Sequence, residues 1–359
     1  MSAAQYMDRA LFLAARGRGR TSPNPLVGAV VVAPDGVVVG QGAHERAGGP
    51  HAEVRALDAA GGRACGATLY CTLEPCCHVG RTGPCVERIV DAGIAKVVAA
   101  VEDPNPLVSG RGFRYLRSRG VAVEVGLGAA AASAINQPFF TLVRAGRPFV
   151  TLKAATSLDG CIAARAGVRT SLTSAEADRH AQRARAGVDA IGIGSGTVLA
   201  DDPLLTVRGA YREQPLTRVI FDRRLRTPPA ARVLSTAAAG PVIIITCAGA
   251  ASARARRALE AAGARVEVAA DASLGAALRL LGASGIGSLL LEGGAVLHAA
   301  AWDEGLVDYV RLYVTPRTLG PGGVRLFDGR RFRSGRLLNL RVEPVGVDAL
   351  IEGYVHGPH

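Results

Sequence analysis

The sequence predicts an α/β protein built from two domains. Its 359 residues are about twice the ~150 residues usual for one domain. Apolar residues alternate between the periods of strands and of helices along almost the whole chain, which is typical of strands buried between helices. The alternation pauses near Arg144 to Pro148. We place the domain boundary there, so that the predicted domains comprise residues 1–145 and 146–359.

Periodicity and turn residues predict the elements of the first domain. Pro34-Asp35-Gly36 separates two apolar runs and predicts a hairpin turn, whereas Gly61-Gly62 and Gly93 predict helix ends. The predicted elements are a helix from about Ala4 to Ala15, strands Leu26 to Val32 and Val37 to Gly40, a helix from about Pro50 to Ala60, a strand Ala67 to Thr72, a helix Cys85 to Ala92, a strand Lys96 to Val101, and a helix and a strand around Tyr115 and Val123.

The second domain repeats the alternation of strand and helix. Its predicted strands are Phe149 to Ala154, Ala190 to Gly194, Thr217 to Phe221, Val242 to Thr246 and Ser288 to Leu291. Its predicted helices are Ser174 to Ala186 and segments around Ala258 and Leu278. Two closing strands, Tyr309 to Thr315 and Ala349 to Val355, are expected to be antiparallel because no helix separates the last pieces of the chain.

Composition excludes several classes of protein. With 49% hydrophobic and 20% charged residues, the chain is neither disordered nor collagen-like. The net charge of +12 suggests a nucleic-acid partner, but the basic residues are scattered and the aromatic residues that could stack on bases make up only 4%. A small anion such as a phosphate ester accounts for the charge equally well, so we expect no nucleic-acid partner.

Hydropathy and cysteine content indicate the cellular location expected for the protein. No apolar run approaches the ~18 residues that span a bilayer, and the apolar stretch near the N-terminus is too short for a signal peptide. We therefore expect a cytoplasmic protein without a membrane partner. The seven cysteines are expected to be thiols or metal ligands rather than a disulfide framework.

One group of residues has the composition and context of a catalytic zinc site. His51 opens one predicted helix, and Cys76 precedes another, which begins at Cys85. One imidazole and two thiolates suit Zn²⁺, and three protein ligands leave the fourth tetrahedral position open for water. Glu53 lies on the first helical turn, where it can move protons without binding the metal. The pattern indicates a deaminase that releases ammonia from an aminopyrimidine.

The segment between the two cysteines is longer than the deaminase signature requires. Eight residues, Cys77 to Pro84, separate them where two are usual. His78 and Arg81 lie in this segment beside glycines, and such groups suit a phosphate on the substrate. Cys77 offers a fourth ligand in principle, but side chains of adjacent residues rarely converge on one ion.

Two other interpretations are compatible with the zinc signature. The first is a nucleic-acid base deaminase with an accessory domain, which shares the ligand set but leaves the second half of the chain unexplained. The second is a basic binding protein that uses zinc for stability, which explains neither Glu53 nor the open ligand position. Steep salt dependence of polynucleotide binding would favour either of them.

Taken together, the motifs of the chain resemble the bifunctional deaminase/reductase family of riboflavin biosynthesis. The likeness covers nearly the whole chain, in the same domain order. In the first half it is carried by Pro23 to Gly28, Gly49 to Glu53, Thr72 to Cys85, Asp103 to Pro106 and Gly110 to Gly112. In the second half it is carried by Lys153, Ser157 to Gly160, Thr197 to Pro203, Leu205 to Arg208 and Glu292 to Gly294.

The resemblance implies a cytidine-deaminase-like α/β/α domain followed by a dihydrofolate-reductase-like α/β domain. It implies that the first domain deaminates 2,5-diamino-6-(5-phosphoribosylamino)pyrimidin-4-one by hydrolysis. It further implies that the second domain uses NADPH to reduce the ribosyl chain of 5-amino-6-(5-phosphoribosylamino)uracil to a ribityl chain. The implied cofactors are one zinc ion per chain and NADPH, and the implied assembly is a homo-oligomer.

The resemblance also implies roles for individual residues. The zinc ligands are His51, Cys76 and Cys85, with Glu53 as the proton shuttle. The contacts of the deaminase substrate are Asn24, His44, His78, Arg81 and Lys153. The contacts of the dinucleotide are Ser157, Thr173, Thr197, Asp201, Gly293 and Gly294. The contacts of the reductase substrate are Ser171, Arg185, Leu205, Arg208 and Glu292.

Residue-level support in the second half is confined to a few positions. Gly293 and Gly294 follow a short buried strand, and backbone free of side chains before a helix can approach a pyrophosphate. Two residues depart from the family pattern. Arg223 stands where a small hydroxyl residue is common, and Ser171 stands where many members have Trp. We hypothesise from its charge that Arg223 meets the 2′-phosphate of NADPH.

Overall fold

Two β-sheets organise the chain, one of five strands and one of nine. They belong to separate structural units, Met1–Ala145 and Gly146–Gly357. The computed structural model describes residues 1–78, 83–249, 252–329 and 337–357. Within these ranges no helix is both long and apolar enough to cross a membrane.

The first unit places helices on both faces of its sheet. Its elements are α1 (Ala3–Ala15), β1 (Gly28–Val32), β2 (Val38–Ala43), α2 (Ala52–Ala60), β3 (Thr68–Cys71), α3 (Cys85–Asp91), β4 (Lys96–Ala99), α4 (Arg111–Ser118), β5 (Ala122–Val125) and α5 (Ala129–Ala145). The strand order is β2-β1-β3-β4-β5. Strand β1 is antiparallel to both its neighbours, whereas β3, β4 and β5 are parallel.

Alternation along β1 creates the two cores of this unit. Ala29 and Val31 pack in a cluster with residues of α2, α3 and α4. Val30 and Val32 point to the opposite face and pack in a cluster with residues of α1. Because successive side chains of a strand alternate between faces, one apolar strand supports helices on both sides. The result is the α/β/α arrangement expected for this half.

Helix α2 lies unusually close to β2, and this approach holds the start of the helix against the sheet. A Cβ atom at Gly40 would lie 2.0 Å from the carbonyl oxygen of Ala56, and one at Gly42 would lie 2.3 Å from that of Ala52. Only glycine permits this contact. Since His51 and Glu53 belong to the start of α2, the two glycines set the position of both residues.

The second unit is built around the nine-stranded sheet. Its elements are β6 (Phe149–Thr156), β7 (Cys161–Ala163), α6 (Ala175–Ala186), β8 (Ala190–Gly194), α7 (Ser195–Asp201), β9 (Thr217–Phe221), β10 (Val242–Cys247), α8 (Ala253–Ala261), β11 (Arg265–Ala269), α9 (Leu274–Ala283), β12 (Ser288–Leu291), α10 (Ala295–Asp303), β13 (Tyr309–Val314), β14 (Val324–Arg325), β15 (Leu338–Val345) and β16 (Asp348–Tyr354). Strands β7 and β14 form a separate antiparallel pair.

The strand order of the large sheet is β11-β10-β9-β8-β12-β6-β13-β16-β15. All neighbours from β11 to β13 are parallel. Strand β16 is antiparallel to β13 and to β15, which confirms the predicted antiparallel closing strands. Because parallel strands end at the same edge of a sheet, this topology gathers the loops after β8, β9, β10 and β12 at one edge, where ligands of open α/β sheets bind.

Several elements were not predicted from the sequence. They are α5, β7, α7, β11, β14 and β15. Helix α5 contains Pro138, which breaks the helical pattern in the sequence but is accommodated in the fold. Strand β15 is exposed at every residue except Val345, so it lacks the apolar alternation of a half-buried strand.

Candidate zinc centre and dinucleotide cleft

The structure brings the three predicted zinc ligands together. His51 is the N-cap residue of α2, Cys85 is the first residue of α3, and Cys76 lies in the loop after β3. One ligand atom from each residue lies within 4.8 Å of the other two. Nδ1 of His51 is 3.2 Å from the Cys85 sulfur and 3.4 Å from the Cys76 sulfur. Zinc bonds of ~2.0–2.3 Å place tetrahedral ligands about 3.5 Å apart, so the donor set fits Zn²⁺.

The electrostatics of this cluster favour a metal cation. A hydrogen bond from the Cys85 thiol lowers the pKa of Cys76; burial opposes this shift, and a hydrogen bond from the His51 ring adds to it. The thiolate is therefore available as a ligand at neutral pH. The backbone N–H of Cys85, at the start of α3, also points at the Cys76 sulfur, at 3.4 Å.

Glu53 lies beside the cluster without being one of its ligands. Its side chain is buried in the first turn of α2, with the whole residue only 3% exposed. Burial, and then the negative charge of Cys76, raises the pKa of Glu53 to about 7. A carboxyl group with such a pKa can both accept and release a proton at neutral pH.

Asn24 and His44 form one side of the zinc centre. The His44 ring packs edge to face against His51, with 5.4 Å between ring centroids. Nδ1 of His44 is 3.2 Å from the Pro50 carbonyl oxygen, which can only accept, so Nδ1 carries the hydrogen. Nε2 of His44 therefore accepts from the Asn24 amide at 3.1 Å. Burial lowers the pKa of His44, which keeps the ring neutral.

The long segment between the cysteines is only partly described. His78 is half-buried at its beginning. Arg81, the predicted phosphate contact, lies outside the described residues. Cys77 does not join the ligand cluster, because its thiol donates to the carbonyl oxygen of Leu107 at 3.7 Å.

A cleft of about 990 Å³ opens at the carboxyl edge of the sheet in the second unit. Its walls come from the loops after β8, β9, β10 and β12 and from the starts of α7 and α10. Nine of the predicted reductase residues line it: Ser171, Thr173, Arg185, Thr197, Asp201, Arg208, Glu292, Gly293 and Gly294.

A buried carboxylate with two cationic partners lies in this cleft. Arg185 donates two hydrogen bonds to Glu292, of 2.8 and 2.7 Å. The Lys153 ammonium is 3.8 Å from the same carboxylate and lies over the face of the Tyr313 ring, 5.6 Å from its centroid. Burial by itself raises the pKa of Glu292, but the charges of Lys153 and Arg185 outweigh it and lower the pKa to about 2. Glu292 is therefore ionised at neutral pH.

The start of α10 has the form of a phosphate cradle. Its N-cap residue is Gly294, so no side chain satisfies the first backbone N–H groups. A Cβ atom at Gly293 would lie 2.6 Å from the side chain of Leu297, and one at Gly294 would lie 3.4 Å from the Thr197 hydroxyl. Free N–H groups and the positive end of the helix dipole attract an anion such as a pyrophosphate.

Three further residues that the sequence assigns to ligand contacts have surroundings of their own. Lys153, expected at the deaminase substrate, lies on β6 in the second unit and lines the cleft with Glu292. The Ser157 hydroxyl is used within its own turn, where it donates to Asp159 at 2.5 Å and accepts from the backbone N–H of Cys161 at 3.0 Å. Leu205 is 4% exposed and packs in a hydrophobic core.

Sequence analysis missed several residues that line the cleft. They include Arg169, Gln182, Arg224, Arg226 and His298. Arg226 donates to the Ser195 hydroxyl at 3.0 Å, at the start of α7. His298 is 2% exposed on α10, and burial lowers its pKa to about 4. A basic run after a buried strand, Arg223 to Arg226, was the one signal in the sequence that could have identified two of them.

Comparison with known proteins assigns both halves of the chain. Residues 1–101 match the cytidine and deoxycytidylate deaminase zinc-binding region, and residues 148–356 match the RibD C-terminal domain. The riboflavin biosynthesis protein RibD of Aquifex aeolicus is 41% identical over 352 residues, which cover 96% of each chain. That of Escherichia coli is 40% identical over 351 residues, which cover 91% of this chain and 94% of its own.

Solved structures agree with this assignment along the whole chain. Acinetobacter baumannii RibD is 37% identical and covers 98% of both chains with a TM-score of 0.86. The diaminohydroxyphosphoribosylaminopyrimidine deaminase/5-amino-6-(5-phosphoribosylamino)uracil reductase of Thermotoga maritima is 34% identical and covers 98% of both chains with a TM-score of 0.84. The second unit thus has the dihydrofolate-reductase-like fold of RibD reductase domains. The chain belongs to the RibD family, as a bifunctional deaminase and reductase of riboflavin biosynthesis whose cofactors are zinc and NADPH.

Proposed function

We propose that the first unit deaminates 2,5-diamino-6-(5-phosphoribosylamino)pyrimidin-4-one and that the second reduces 5-amino-6-(5-phosphoribosylamino)uracil at its ribosyl chain. The observation that carries the first step is the convergence of His51, Cys76 and Cys85 within 4.8 Å, with Glu53 buried beside them. The substrate of the second step is supported by the reductase named for the Thermotoga maritima relative.

In the first unit, His51, Cys76 and Cys85 would hold the zinc ion and Glu53 would move protons. Zinc bound there supplies a Lewis acid that activates water for attack on the pyrimidine. The Glu53 carboxylate takes a proton from the attacking water and delivers it to the amino nitrogen, which leaves as ammonia. Burial raises the pKa of Glu53, which helps the carboxyl group to hold the proton between the two transfers.

The residues around this centre would position the pyrimidine. Asn24 and His44 are linked to each other and to the Pro50 carbonyl, so their orientations are set before substrate arrives. The amide oxygen of Asn24 then remains as an acceptor for a ring N–H or amino group. His78 and Arg81 are proposed to contact the phosphate of the substrate.

Replacement of Glu53 by Gln tests the deaminase proposal. The variant should keep its zinc but release ammonia at least 10²-fold more slowly, because Gln cannot carry the proton. Its NADPH-dependent reduction of separately supplied deaminated substrate should be unchanged. Glu87→Gln makes the same chemical change in the first turn of α3, at an exposed residue, and should leave both activities intact. Normal ammonia release by Glu53→Gln would remove Glu53 from the mechanism.

In the second unit, we propose that Glu292, Lys153 and Arg185 hold the ribosyl chain. NADPH bound in the cleft supplies the hydride. The ionised Glu292 accepts hydrogen bonds from substrate hydroxyls. The Lys153 side chain is 17% exposed, and its ammonium donates to an oxygen of the sugar. Arg185 keeps Glu292 charged and oriented. Lys153 is thus moved from the deaminase substrate to the reductase substrate, because its charge partner lies in this cleft.

The remaining lining residues are divided between cofactor and substrate. We propose that Gly293 and Gly294 at the start of α10 hold the pyrophosphate of NADPH. The proposed further contacts of the cofactor are Thr173, Thr197 and Asp201. The proposed further contacts of the substrate are Ser171 and Arg208.

We also propose that the protein is a homo-oligomer working in the cytoplasm on this small phosphorylated substrate rather than on nucleic acid. Edge strand β15 supports the assembly. Leu338, Leu340 and Val342 are 45%, 44% and 63% exposed along it, and an exposed apolar edge is rarely left uncovered. Light scattering during size-exclusion chromatography should give a multiple of the 36.9 kDa chain mass. A monomer at micromolar concentration would contradict the assembly.

A further inference from the structure

Glu74 is a buried carboxylate that has no part in the chemistry proposed above. It lies three residues after β3 and two residues before Cys76, and it is 3% exposed. Its carboxylate accepts four backbone hydrogen bonds from one segment of the chain. Oε1 accepts from Gly112 at 2.9 Å and Phe113 at 3.2 Å, whereas Oε2 accepts from Gly110 at 2.9 Å and Asp103 at 3.2 Å.

Two of these bonds replace a missing helix cap. The N-cap residue of α4 is Gly110, which has no side chain to satisfy the first N–H groups of the helix. Glu74 supplies the acceptor from a distant point of the sequence, and its negative charge lies at the positive end of the helix dipole. The other two bonds hold the loop that leads into α4, so a single carboxylate organises residues 103–113.

The same segment lies directly against the loop that bears Cys76. A Cβ atom at Gly112 would lie 2.2 Å from the carbonyl oxygen of Pro75, so only glycine allows the contact. Directly after Cys76 in the sequence, the Cys77 thiol donates to the Leu107 carbonyl oxygen of the same segment. The residues before and after the proposed zinc ligand are thus both packed on the segment that Glu74 gathers.

We propose that Glu74 is a positioning residue of the deaminase centre, which sets the place of the Cys76 sulfur by clamping residues 103–113 onto Pro75 and Cys77. This inference rests on the proposed role of Cys76 as a zinc ligand. The clamp requires a carboxylate. A Gln amide has one oxygen and one NH₂ group, and the NH₂ group would face two backbone N–H donors in place of an acceptor. Each donor left without a partner in a buried site is destabilising.

Glu74→Gln in the full-length protein tests the proposal, with Glu102→Gln as the matched control. Glu102 immediately precedes this segment, is exposed, and accepts one bond from the Ser109 hydroxyl at 2.7 Å, which an amide oxygen can also accept. In Glu74→Gln we expect faster hydrogen exchange at Gly110, Gly112 and Phe113 even without zinc. Zinc affinity, measured by competition with a chelator, and kcat for ammonia release should each fall ~10–100-fold. Glu102→Gln should match the wild type throughout.

The outcomes separate this inference from the proposed function. If wild-type protein neither binds zinc nor releases ammonia, the proposed function fails. If wild-type protein does both, and folded Glu74→Gln has wild-type zinc affinity and kcat, Glu74 is only a structural residue and the positioning role is overturned. NADPH-dependent reduction by the same samples shows that the second unit is intact.

If Glu74→Gln does not fold, a second measurement on the wild-type protein tests the proposal. Coupling between two sites is reciprocal, so a clamp that favours zinc binding must itself be strengthened by zinc. Hydrogen exchange of wild-type protein at Gly110, Gly112 and Phe113 should therefore slow on addition of zinc. Equal exchange at these three amides with and without zinc would overturn the proposal.

Discussion

Replacing Arg185 with Met removes two hydrogen bonds and one positive charge from a buried carboxylate, Glu292, and should destabilise the second unit. Only 9% of the Glu292 side chain is exposed. Although burial opposes it, the charges of Lys153 and Arg185 lower the pKa of Glu292 from 4.5 to about 2, which corresponds to about 3 kcal/mol. Breaking a buried pair typically costs ~3–5 kcal/mol. We expect Arg185→Met to lower the free energy of unfolding by about 3 kcal/mol at pH 7.

The loss of stability expected for Arg185→Met should depend on pH in a defined direction. The folded-state pKa of Glu292 lies below its value of 4.5 in the unfolded chain, so its contribution is complete above about pH 4.5. The contribution is lost as the pH falls from 4.5 towards 2, because Glu292 then becomes protonated in the folded state as well. The stability difference between wild type and Arg185→Met should therefore shrink over that interval.

Urea unfolding followed by fluorescence measures the effect in the intact protein. Trp302 is the single Trp of the sequence and lies on α10, so the signal reports on the second unit. Arg179→Met is the control, since Arg179 pairs with Glu176 on the same helix but is 64% exposed, where a pair contributes ~0.5 kcal/mol or less. A loss below 1 kcal/mol at pH 7, or a loss of equal size at pH 7 and pH 3, would refute the reasoning.

Three further predictions concern the two activities. Arg223 lines the cleft after β9, so Arg223→Ser should lower the preference for NADPH over NADH in kcat/KM about tenfold, or ~1.4 kcal/mol. An unchanged preference would show that Arg223 does not contact the 2′-phosphate. Gly293→Ala places a Cβ atom 2.6 Å from Leu297 and should raise the KM for NADPH about tenfold. Gly322→Ala, at a residue outside the cleft lining where a Cβ meets no atom of the described chain within 4 Å, should not. Chelation of zinc should abolish ammonia release and spare reduction, and a parallel loss of both activities would contradict two separate sites.

The sequence was most informative where chemistry is concentrated in short motifs. The short motifs around His51 and around Cys76 and Cys85 indicate the zinc ligands and the starts of two helices. Glu53, two residues after His51, is indicated as the proton carrier. The relatives and the fold confirm the predicted family, the α/β class, both activities and the two cofactors. The reductase half has no such motif, because hydride transfer depends on orientation more than on side-chain chemistry.

The sequence was least informative about long-range contacts and about elements without a clear local pattern. Lys153 stands 139 positions before Glu292 in the sequence, and only the pairing of β6 with β12 brings the two together. Helix α5 escaped prediction because Pro138 interrupts its local pattern, although the helix continues through this residue. Strand β15 escaped because a strand exposed on both faces has no apolar alternation.

By itself the sequence determined the layered α/β class, the donor atoms for zinc and the chemistry that a neighbouring carboxyl group can add. These properties depend on residue type and on spacings of a few residues, and both can be read from the unfolded chain. Only the tertiary structure decided that Glu74 gathers residues 103–113 beside Cys76, and that Glu292 is held ionised between Lys153 and Arg185. Both arrangements join residues far apart in sequence, and their energies depend on burial, which exists only once the strands have paired.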